Sequence, residues 1–498
     1  MNLNQDEYLK KVTGCWMGKN IGGTVGAPFE WKRQMNDIHF YTQELDGNPM
    51  PNDDLDIQLL WLLALEREGV KVDANLLGEY WLNFVTPHWA EYGNAKINMR
   101  SGLVPPLSGS VNNAYKDSCG SFIRSEIWAC LCPGSPMRAA QYAYEDSVID
   151  HGIGEGTYAE IFTAVMESAA FLESDLYKLI DIGLHFIPED CAVAGAAKLA
   201  IDCYEKKMTW QEARDAVLTH YRGMAAYGLY ECICQEDIDK GFFDGELGWD
   251  VPSNIGMLVI GLLYCENDFG KCMCICVNCG EDTDCTAATA GSILGIIHGI
   301  DFIPEKWIKP IGRGIKTIAL NVGDIAHVPQ DIDDLTYRSM KLAYEAIDAY
   351  DLPVKISGDA TDISSDLSKI LYPDTTELYE HFGWATYTNV MFKAAVDYQN
   401  NPYMKAGEQR ELTIHFTNLF HSQQNLDIKI WTPDGIQATP GTGSLFLGNN
   451  RFDKKKSIQI TFSAETLEKS EVYAFIQITS KGRHTAVQIP VFFLNGSL

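Results

Sequence analysis

Apolar and polar positions follow two different periods along the chain. Up to about residue 350, apolar residues recur every three or four positions, as at Leu59, Leu62 and Leu63, and this spacing is typical of amphipathic helices. From about residue 386, apolar and polar residues alternate, as at Ile458 and Ile460, and turn clusters separate the alternating runs. The pattern therefore predicts helices first and strands afterwards.

Charge and cysteine usage change at nearly the same place. Residues 401–498 carry ten Lys or Arg and eight Asp or Glu, a charge of +2, so residues 1–400 carry a charge of −30. Every cysteine lies between Cys15 and Cys285. A segment rich in Asp, Ser, Thr and Pro separates the two regions. The predicted organisation is an all-α domain at 1–350, a connector at 351–385 and a β-sandwich of about a hundred residues at 386–498.

Composition narrows the class of protein. The chain has 498 residues, 46% apolar and 21% charged, which is typical of a globular protein with more than one core. A charge of −28 argues against nucleic acid or an anionic membrane as a partner. The longest apolar run is far shorter than the roughly 20 residues of a membrane helix. The start of the sequence has no secretory pattern, and fourteen cysteines fit a reducing cytoplasm.

The first candidate motif is Asn52-Asp53-Asp54, with Asp56 close behind. Pro51 and Asn52 end a loop, and the apolar run that follows predicts a helix beginning beside Asp53. One Asp at a helix start caps free amides and suits the helix dipole. Three carboxylates in four residues repel one another, however, and a divalent cation would neutralise them. Capping and cation binding both stay open for this segment taken alone.

A second acidic helix start lies far along the chain, where Asp282 and Asp284 follow Gly280. The apolar helix predicted behind them carries a small residue at every fourth position, at Ala287, Gly291, Gly295 and Gly299. Such a stripe lets a neighbouring helix approach closely, which offsets the roughly 1 kcal/mol that each mid-helix Gly costs relative to Ala. The two acidic starts together predict an oxygen-rich site for one or two hard cations such as Mg²⁺.

Four segments and one histidine are informative because of their order along the chain. A glycine-rich stretch runs from Gly14 to Gly26-Ala27-Pro28-Phe29-Glu30, and Asn52-Asp53-Asp54 follows it. Next come Gly120-Ser121-Phe122-Ile123-Arg124, then His151, and finally the acidic motif from Gly280 to Ala288. In this order the segments resemble motifs of the ADP-ribosylglycohydrolase family, whose usual strings are G-D-A-x-G-A-P-x-E, T-D-D, N-G-x-x-M-R, T-H and G-G-D-T-D-T-x-A-A.

The resemblance implies an all-α catalytic domain that holds two Mg²⁺ ions and hydrolyses a glycosidic bond at C1″ of ADP-ribose. Asp53, Asp54, Asp282 and Asp284 match the family's metal ligands, and Glu30 matches the acidic residue near the metals that acts with the attacking water. The chemistry agrees, because a divalent ion can hold vicinal ribose hydroxyls and lower the pKa of a bound water. A carboxylate at the edge of the site can then take the proton.

Further residues are implied around this centre. Asn52 and Thr286 are candidate additional metal ligands, and Asp56 is an extra carboxylate that could serve the metal or the substrate. The candidate substrate-binding residues are Asp56, Gly120, Ser121, Arg124, His151 and Gly154. For Arg124 two partners stay open, a buried acid or the diphosphate of a substrate.

The sequence also departs from the family's strings. Asn52 stands where the family has threonine, Cys285 replaces a second threonine, and Gly23 replaces an aspartate. These departures alter the residues expected around one of the two metal ions, and they leave the preferred substrate open. Three functions stay open: hydrolysis of a small-molecule or protein-linked ADP-ribosyl group, hydrolysis of a nucleoside or other pentoside, and ADP-ribose binding without catalysis. The sandwich could present substrate, form an oligomer contact or recognise a partner.

Overall fold

A helical region and two packed β-sheets follow one another along the chain, which confirms the predicted fold class. The coordinates are a computed structural model. They describe residues 1–30, 32–223, 233–242, 250–325, 327–363, 366–449, 451–483 and 486–497. None of the helices in these ranges is both long enough and apolar enough to cross a bilayer.

The elements follow in chain order. The helices of the described chain are α1 (Gln5–Gly26), α2 (Asp53–Glu68), α3 (Ala74–Phe84), α4 (Ala90–Arg100), α5 (Leu107–Ser110), α6 (Glu126–Leu131), α7 (Pro136–Ser147), α8 (Glu155–Ala169), α9 (Leu176–His185), α10 (Ala192–Glu205), α11 (Trp210–Tyr221), α12 (Gln235–Asp239), α13 (Asp250–Tyr264), α14 (Phe269–Cys279), α15 (Thr283–His298), α16 (Glu305–Ile308), α17 (Ile332–Tyr350), α18 (Ser368–Leu371) and α19 (Thr376–Tyr379). The strands are β1 (Asn2–Asn4), β2 (Lys355–Ser357), β3 (Trp384–Thr388), β4 (Phe392–Asp397), β5 (Tyr403–Met404), β6 (Gln409–Asn418), β7 (Gln424–Trp431), β8 (Ile436–Thr439), β9 (Thr442–Leu447), β10 (Lys455–Ala464), β11 (Glu471–Ser480) and β12 (Ala486–Asn495).

Helices α1 and α15 cross at the centre of the helical region with their backbones in contact. A Cβ atom added to Gly18 would overlap the carbonyl of Gly291, and one added to Gly22 would overlap the carbonyl of Ala287. At the end of α1, a Cβ on Gly26 would overlap the backbone of Asp284. The small-residue stripe predicted on α15 therefore packs against a matching stripe on α1, spaced every four residues.

The β region is a sandwich of two five-stranded sheets. One sheet has the order β3-β4-β6-β10-β8 and the other the order β5-β12-β11-β7-β9, and all pairings are antiparallel except β5 with β12. Alternate residues of each strand face a shared apolar core. Separately, β1 pairs in parallel with β2 and joins the start of the chain to the end of the helical region.

The sandwich packs against the segment that follows α4. Leu103, Leu107 and Val111 belong to the same buried apolar cluster as the inner faces of the two sheets. Two hydrogen bonds flank this contact, one from the hydroxyl of Tyr473 to the carbonyl of Ser101 and one from the hydroxyl of Tyr403 to Asn112 Oδ1. The two regions thus share a core at one point, and the predicted domain boundaries stay a prediction.

Substituting Gly291 with Ala tests the contact between α1 and α15. Although Ala is the better helix former, its methyl group would overlap the Gly18 carbonyl, so the helices must separate. We expect the free energy of unfolding to fall by at least about 2 kcal/mol, as for other overpacked cores, measured by urea denaturation. The control is Gly314→Ala, because nothing lies within 4 Å of the added Cβ there. Equal stability of Gly291→Ala and wild type would contradict the close contact.

Candidate active site

The first acidic motif begins α2, but an asparagine caps this helix. The side-chain oxygen of Asn52 accepts a hydrogen bond from the backbone N–H of Asp54 at 2.7 Å, and Asp53 is the first helical residue. At α15 the residue before the helix is Asp282, whose side chain makes no capping hydrogen bond. Capping therefore accounts for Asn52, and the carboxylates of Asp53, Asp54 and Asp282 need another explanation.

The two acidic helix starts meet in one cavity of about 600 Å³. Carboxylate oxygens of Glu30, Asp282 and Asp284 lie within 4.8 Å of one another. A second group, formed by oxygens of Asp54 and Asp284 with the sulfur of Cys285, is equally compact. The cavity is lined by Ala27, Glu30, Pro51, Asn52, Asp53, Asp54, Trp89, Ala90, Glu91, Tyr92, Ser118, Cys119, Gly120, Ile123, Asp282, Asp284, Cys285 and Ile318.

Buried carboxylate oxygens without hydrogen bonds make this cluster a candidate cation site. In the described chain, Asp54 Oδ2, Asp282 Oδ1 and Asp284 Oδ1 are buried and accept no hydrogen bond. The ammonium of Lys19 lies 3.6 Å from Asp54 Oδ2. Among the described residues, this is the one ion pair that involves any of these three carboxylates. An unpartnered carboxylate is costly to bury, and a bound cation removes that cost.

The pKa values show how strongly the carboxylates disturb one another. Burial raises the pKa of Asp53 to about 6, the charge of Asp284 adds to this rise, and a hydrogen bond from the Tyr92 hydroxyl opposes it. Burial, followed by the charges of Asp284 and Glu30, holds the pKa of Asp282 well above its usual range. Without a cation, the cluster is therefore stabilised by retaining protons.

The two groups of candidate ligands differ in their donor atoms: one offers only oxygen, which suits a hard cation, and the other combines oxygen with sulfur. Glu30, Asp282 and Asp284 offer only oxygen atoms, which Mg²⁺ prefers. The second group includes the Cys285 thiol, a softer donor. The amide nitrogen of Asn52 lies 3.5 Å from Asp284 Oδ2, so its side chain faces this cluster through a donor while its oxygen caps α2.

Thr286 and Asp56, two predicted site residues, form hydrogen bonds with backbone groups near the cavity and do not line it. The Thr286 hydroxyl donates to the carbonyl of Asp282 at 3.0 Å, inside the first turn of α15. Asp56 Oδ2 accepts hydrogen bonds from the backbone N–H groups of Ile318 and Ala319, at 2.7 and 2.6 Å. Because Ile318 lines the cavity, Asp56 holds one wall in place.

Of the predicted substrate loop, Gly120 lines the cavity, whereas Arg124 is fully buried behind it. The guanidinium of Arg124 donates to Asp146 Oδ1 at 2.8 Å and to Asp150 Oδ1 at 2.6 Å. Of the two partners that the sequence left open for Arg124, the structure contains the buried acids. Ser121 is also buried, and its hydroxyl donates to the carbonyl of Gly156 at 2.6 Å.

His151 and Gly154 also lie behind the cavity lining. His151 is fully buried, with Nδ1 2.9 Å from Asp150 Oδ1 and Nε2 3.3 Å from the hydroxyl of Ser118. Gly154 precedes α8 at a φ of 156°, beside the side chains of Lys116 and Asp117. Through Ser118, which does line the cavity, His151 contacts the wall but not the open space.

Sequence reasoning missed the wall contributed by α4. Trp89, Glu91 and Tyr92 line the cavity, and the Tyr92 hydroxyl donates to Asp53 Oδ2 at 3.1 Å. The segment Trp89-Ala90-Glu91-Tyr92 contains no recognisable motif. An aromatic–acidic cluster at a helix start is the only signal that could have identified it.

Comparisons with known proteins agree with the geometry. The family model described as ADP-ribosylglycohydrolase matches residues 4–338. A curated relative, ADP-ribosylarginine hydrolase Tri1 of Pseudomonas putida (strain GB-1), is 29% identical over 74 residues, which are 14% of this chain and 20% of the relative. The chain thus matches about a fifth of that relative's length.

A solved structure, the crystal structure of FixG-related protein from Vibrio parahaemolyticus, matches at 10% identity over 18% of this chain and 79% of that chain. Its TM-score of 0.16 is too low to support any conclusion. The family match, in contrast, spans more than half of the chain and contains Glu30, Asp53, Asp54, Asp282 and Asp284, the five acidic residues predicted from the sequence to form the site. The chain belongs to the ADP-ribosylglycohydrolase family.

Proposed function

We propose that this protein is a Mg²⁺-dependent hydrolase that cleaves the N- or O-glycosidic bond of an ADP-ribosyl group or a related ribosyl compound. The observation that carries the proposal is the convergence of Glu30, Asp53, Asp54, Asp282 and Asp284 on one cavity. Family membership supports glycosidic bond hydrolysis, and the matched relative is named an ADP-ribosylarginine hydrolase.

Mg²⁺ would be held by the carboxylates of the cluster. Glu30, Asp282 and Asp284 form the all-oxygen group, and Asp53 and Asp54 stand beside it at the start of α2. When bound, the cation would orient ribose hydroxyls and offset the negative charge of the site. Two ions are the family's pattern, and the second position here would include Cys285.

The chain's own residues would carry the proton and fix the geometry. Glu30 follows α1 after the turn Ala27–Phe29 and is partly buried at the cavity edge, where it can accept a proton from an attacking water. Water would add at the anomeric carbon as the glycosidic bond breaks, and the leaving group would take a proton. The Tyr92 hydroxyl would keep the Asp53 carboxylate in one orientation.

We also propose a cytoplasmic location and a small-molecule or protein-linked substrate. The thirteen cysteines that the structure describes are all free thiols, and most are buried. Thiols in this state fit a reducing compartment.

Removing the metal tests the cation site without any substrate. We expect Mg²⁺ added to chelator-treated protein to raise the free energy of unfolding, by about 2.7 kcal/mol at one hundred times Kd. Asp282→Asn should abolish this gain, because it removes a ligand from the all-oxygen group. The control Asp301→Asn changes an exposed aspartate paired with Lys10 and should retain the gain. A wild-type protein that does not respond to Mg²⁺ would refute the site.

The stabilisation by Mg²⁺ should depend on pH. Burial raises the pKa of Asp53 to about 6 in the metal-free folded protein, above its value in the unfolded chain. The folded state therefore holds this proton more tightly, and the free energy of unfolding of metal-free protein should fall as pH rises from about 4 to about 6. Mg²⁺ must displace these protons to bind, so the rise in the protein's melting temperature on adding Mg²⁺ should be smaller at pH 5 than at pH 7.5. Equal or reversed shifts would count against carboxylate binding.

Glu30→Gln separates metal binding from turnover. Because the amide cannot take a proton, we expect hydrolysis to slow by at least about a hundredfold, measured as kcat on the best ribosyl substrate. The stabilisation by Mg²⁺ should persist, since the aspartates remain. Glu44→Gln, an exposed change on the loop that follows, is the control. Unchanged turnover in Glu30→Gln would exclude Glu30 from the mechanism.

A further inference from the structure

Glu281, the residue directly before Asp282, has a left-handed backbone conformation. Its φ is 67°, which glycine adopts freely and a residue with a side chain adopts only at a cost in free energy. The family's motif G-G-D-T-D has a second glycine at this position, so the chain departs from the motif here. The Glu281 side chain is 4% exposed and is not part of the cavity lining. Contacts behind the cavity therefore have to hold this conformation.

Two buried arginines bind the carboxylate of Glu281. Arg33 donates to Oε2 from Nε at 3.0 Å and from a terminal nitrogen at 2.8 Å. Arg222 donates to Oε1 from Nε at 2.8 Å and also from a terminal nitrogen. All three side chains are buried, so solvent ions screen these contacts very little. Because both carboxylate oxygens are bound, the side chain has one fixed orientation. We call these contacts the Glu281 ion pairs.

The Glu281 ion pairs join the two chain segments that carry the all-oxygen group. Arg33 lies in the segment 32–36, shortly after Glu30. The backbone N–H of Lys32 donates to the carbonyl of Phe29 at 3.0 Å, across the turn that contains Glu30. Arg33 thus connects the Glu30 side of the group to the residue that directly precedes Asp282.

Backbone contacts bring the same two segments together beside these ion pairs. A Cβ atom on Gly280 would lie 2.0 Å from the carbonyl oxygen of Gln34. The backbone N–H of Asn36 donates to the carbonyl of Asn278 at 3.0 Å, and Asn278 Oδ1 accepts from the backbone N–H of Ile38 at 2.7 Å. Residues 278–280 are therefore held by backbone contacts, whereas Glu281 is held by its side chain.

Arg222 is itself fixed in the interior. It donates to Asp237 Oδ2 at 2.9 Å and to the carbonyl of Phe242 at 2.6 Å. A second arginine, Arg214, binds the same Asp237 oxygen at 2.7 Å. Glu281 is thus bound to a group whose position the surrounding fold already determines, and this is the condition under which a strained backbone persists.

We propose, as an extension that rests on the cation site of the proposed function, that Glu281 is a positioning residue for this site: bound by Arg33 and Arg222, it fixes the left-handed turn that places Asp282 beside Glu30. Glu281 does not contact the cation and acts through the backbone of Asp282. Ion pairs here perform the task that glycine performs in the family's motif. The affinity for Mg²⁺ therefore depends on side chains that do not line the cavity.

Glu281→Ala and Glu281→Gly form a matched pair, because both remove the carboxylate but only glycine adopts a φ of 67° freely. The Kd for Mg²⁺ is measured by calorimetry on chelator-treated protein, at a temperature at which circular dichroism shows each variant folded. We expect Glu281→Ala to raise this Kd at least about tenfold, as substitutions behind metal ligands do, and Glu281→Gly to recover part of the loss. Equal Kd values for the two variants would overturn the role of the left-handed turn.

Arg33→Lys tests the ion pairs in a chain that keeps Glu281 and the buried positive charge. Lysine has one ammonium group and cannot reproduce the contact through Nε and a terminal nitrogen, so the Kd for Mg²⁺ should rise at least about threefold. The matched control is Arg338→Lys, which changes a similar two-nitrogen contact with Glu66, near the end of α2 opposite Asp53. This control should retain the wild-type Kd. A wild-type Kd in Arg33→Lys, or an equal loss in both variants, would overturn the proposal.

Turnover separates this proposal from the hydrolase proposal. Wild-type protein saturated with Mg²⁺ is incubated with adenosine, AMP and ADP-ribosylarginine, and glycosidic cleavage is followed by chromatography. If Mg²⁺ affinity depends on the Glu281 ion pairs but no glycoside is cleaved, the positioning proposal stands and the hydrolase proposal fails. If wild type cleaves a glycoside and the variants bind Mg²⁺ as wild type does, the reverse holds. If wild type does not bind Mg²⁺, both fail.

Discussion

The backbone contact between α1 and α15 determines the geometry of the site. Side chains larger than hydrogen at Gly18 or Gly291 would hold the two helices apart. At the end of this contact, Gly26 lies against the backbone of Asp284, and the chain then turns through Ala27–Phe29 to Glu30. The distance between Glu30 and the aspartates of α15 is thus set by glycine packing far from any ligand.

A polar interior supports the other side of the cavity. Asp146 accepts hydrogen bonds from the indole nitrogens of Trp61 and Trp128 and from Arg124. Breaking a buried ion pair of this kind leaves a charge without compensation, which is why such groups are strongly coupled to folding. Arg124 also donates to the carbonyl of Gly120, so this network reaches the loop that lines the cavity.

Much of the fold and the centre of the site were predictable from sequence, because both depend on local patterns. Alternation and helical spacing identify the two regions, the small-residue stripe identifies α15 as a helix that a neighbour approaches closely, and the acidic starts of α2 and α15 identify the centre of the candidate site. The positions of Arg124 and His151 were not predictable, since a motif gives residue types but not which way a side chain faces. Glu91 was missed for a related reason: its place on the lining depends on how α4 packs, which no local pattern encodes.

The shared core between the sandwich and Leu103, Leu107 and Val111 makes the two regions structurally interdependent. These three residues follow directly on α4, the helix that brings Trp89, Glu91 and Tyr92 to the cavity. A truncated chain that ended with the family match at residue 338 would present these apolar side chains to water and leave α4 without its support. The stretch of sequence that identifies the family is therefore shorter than the stretch that keeps the cavity in shape, because the α4 wall of the cavity also needs the sandwich.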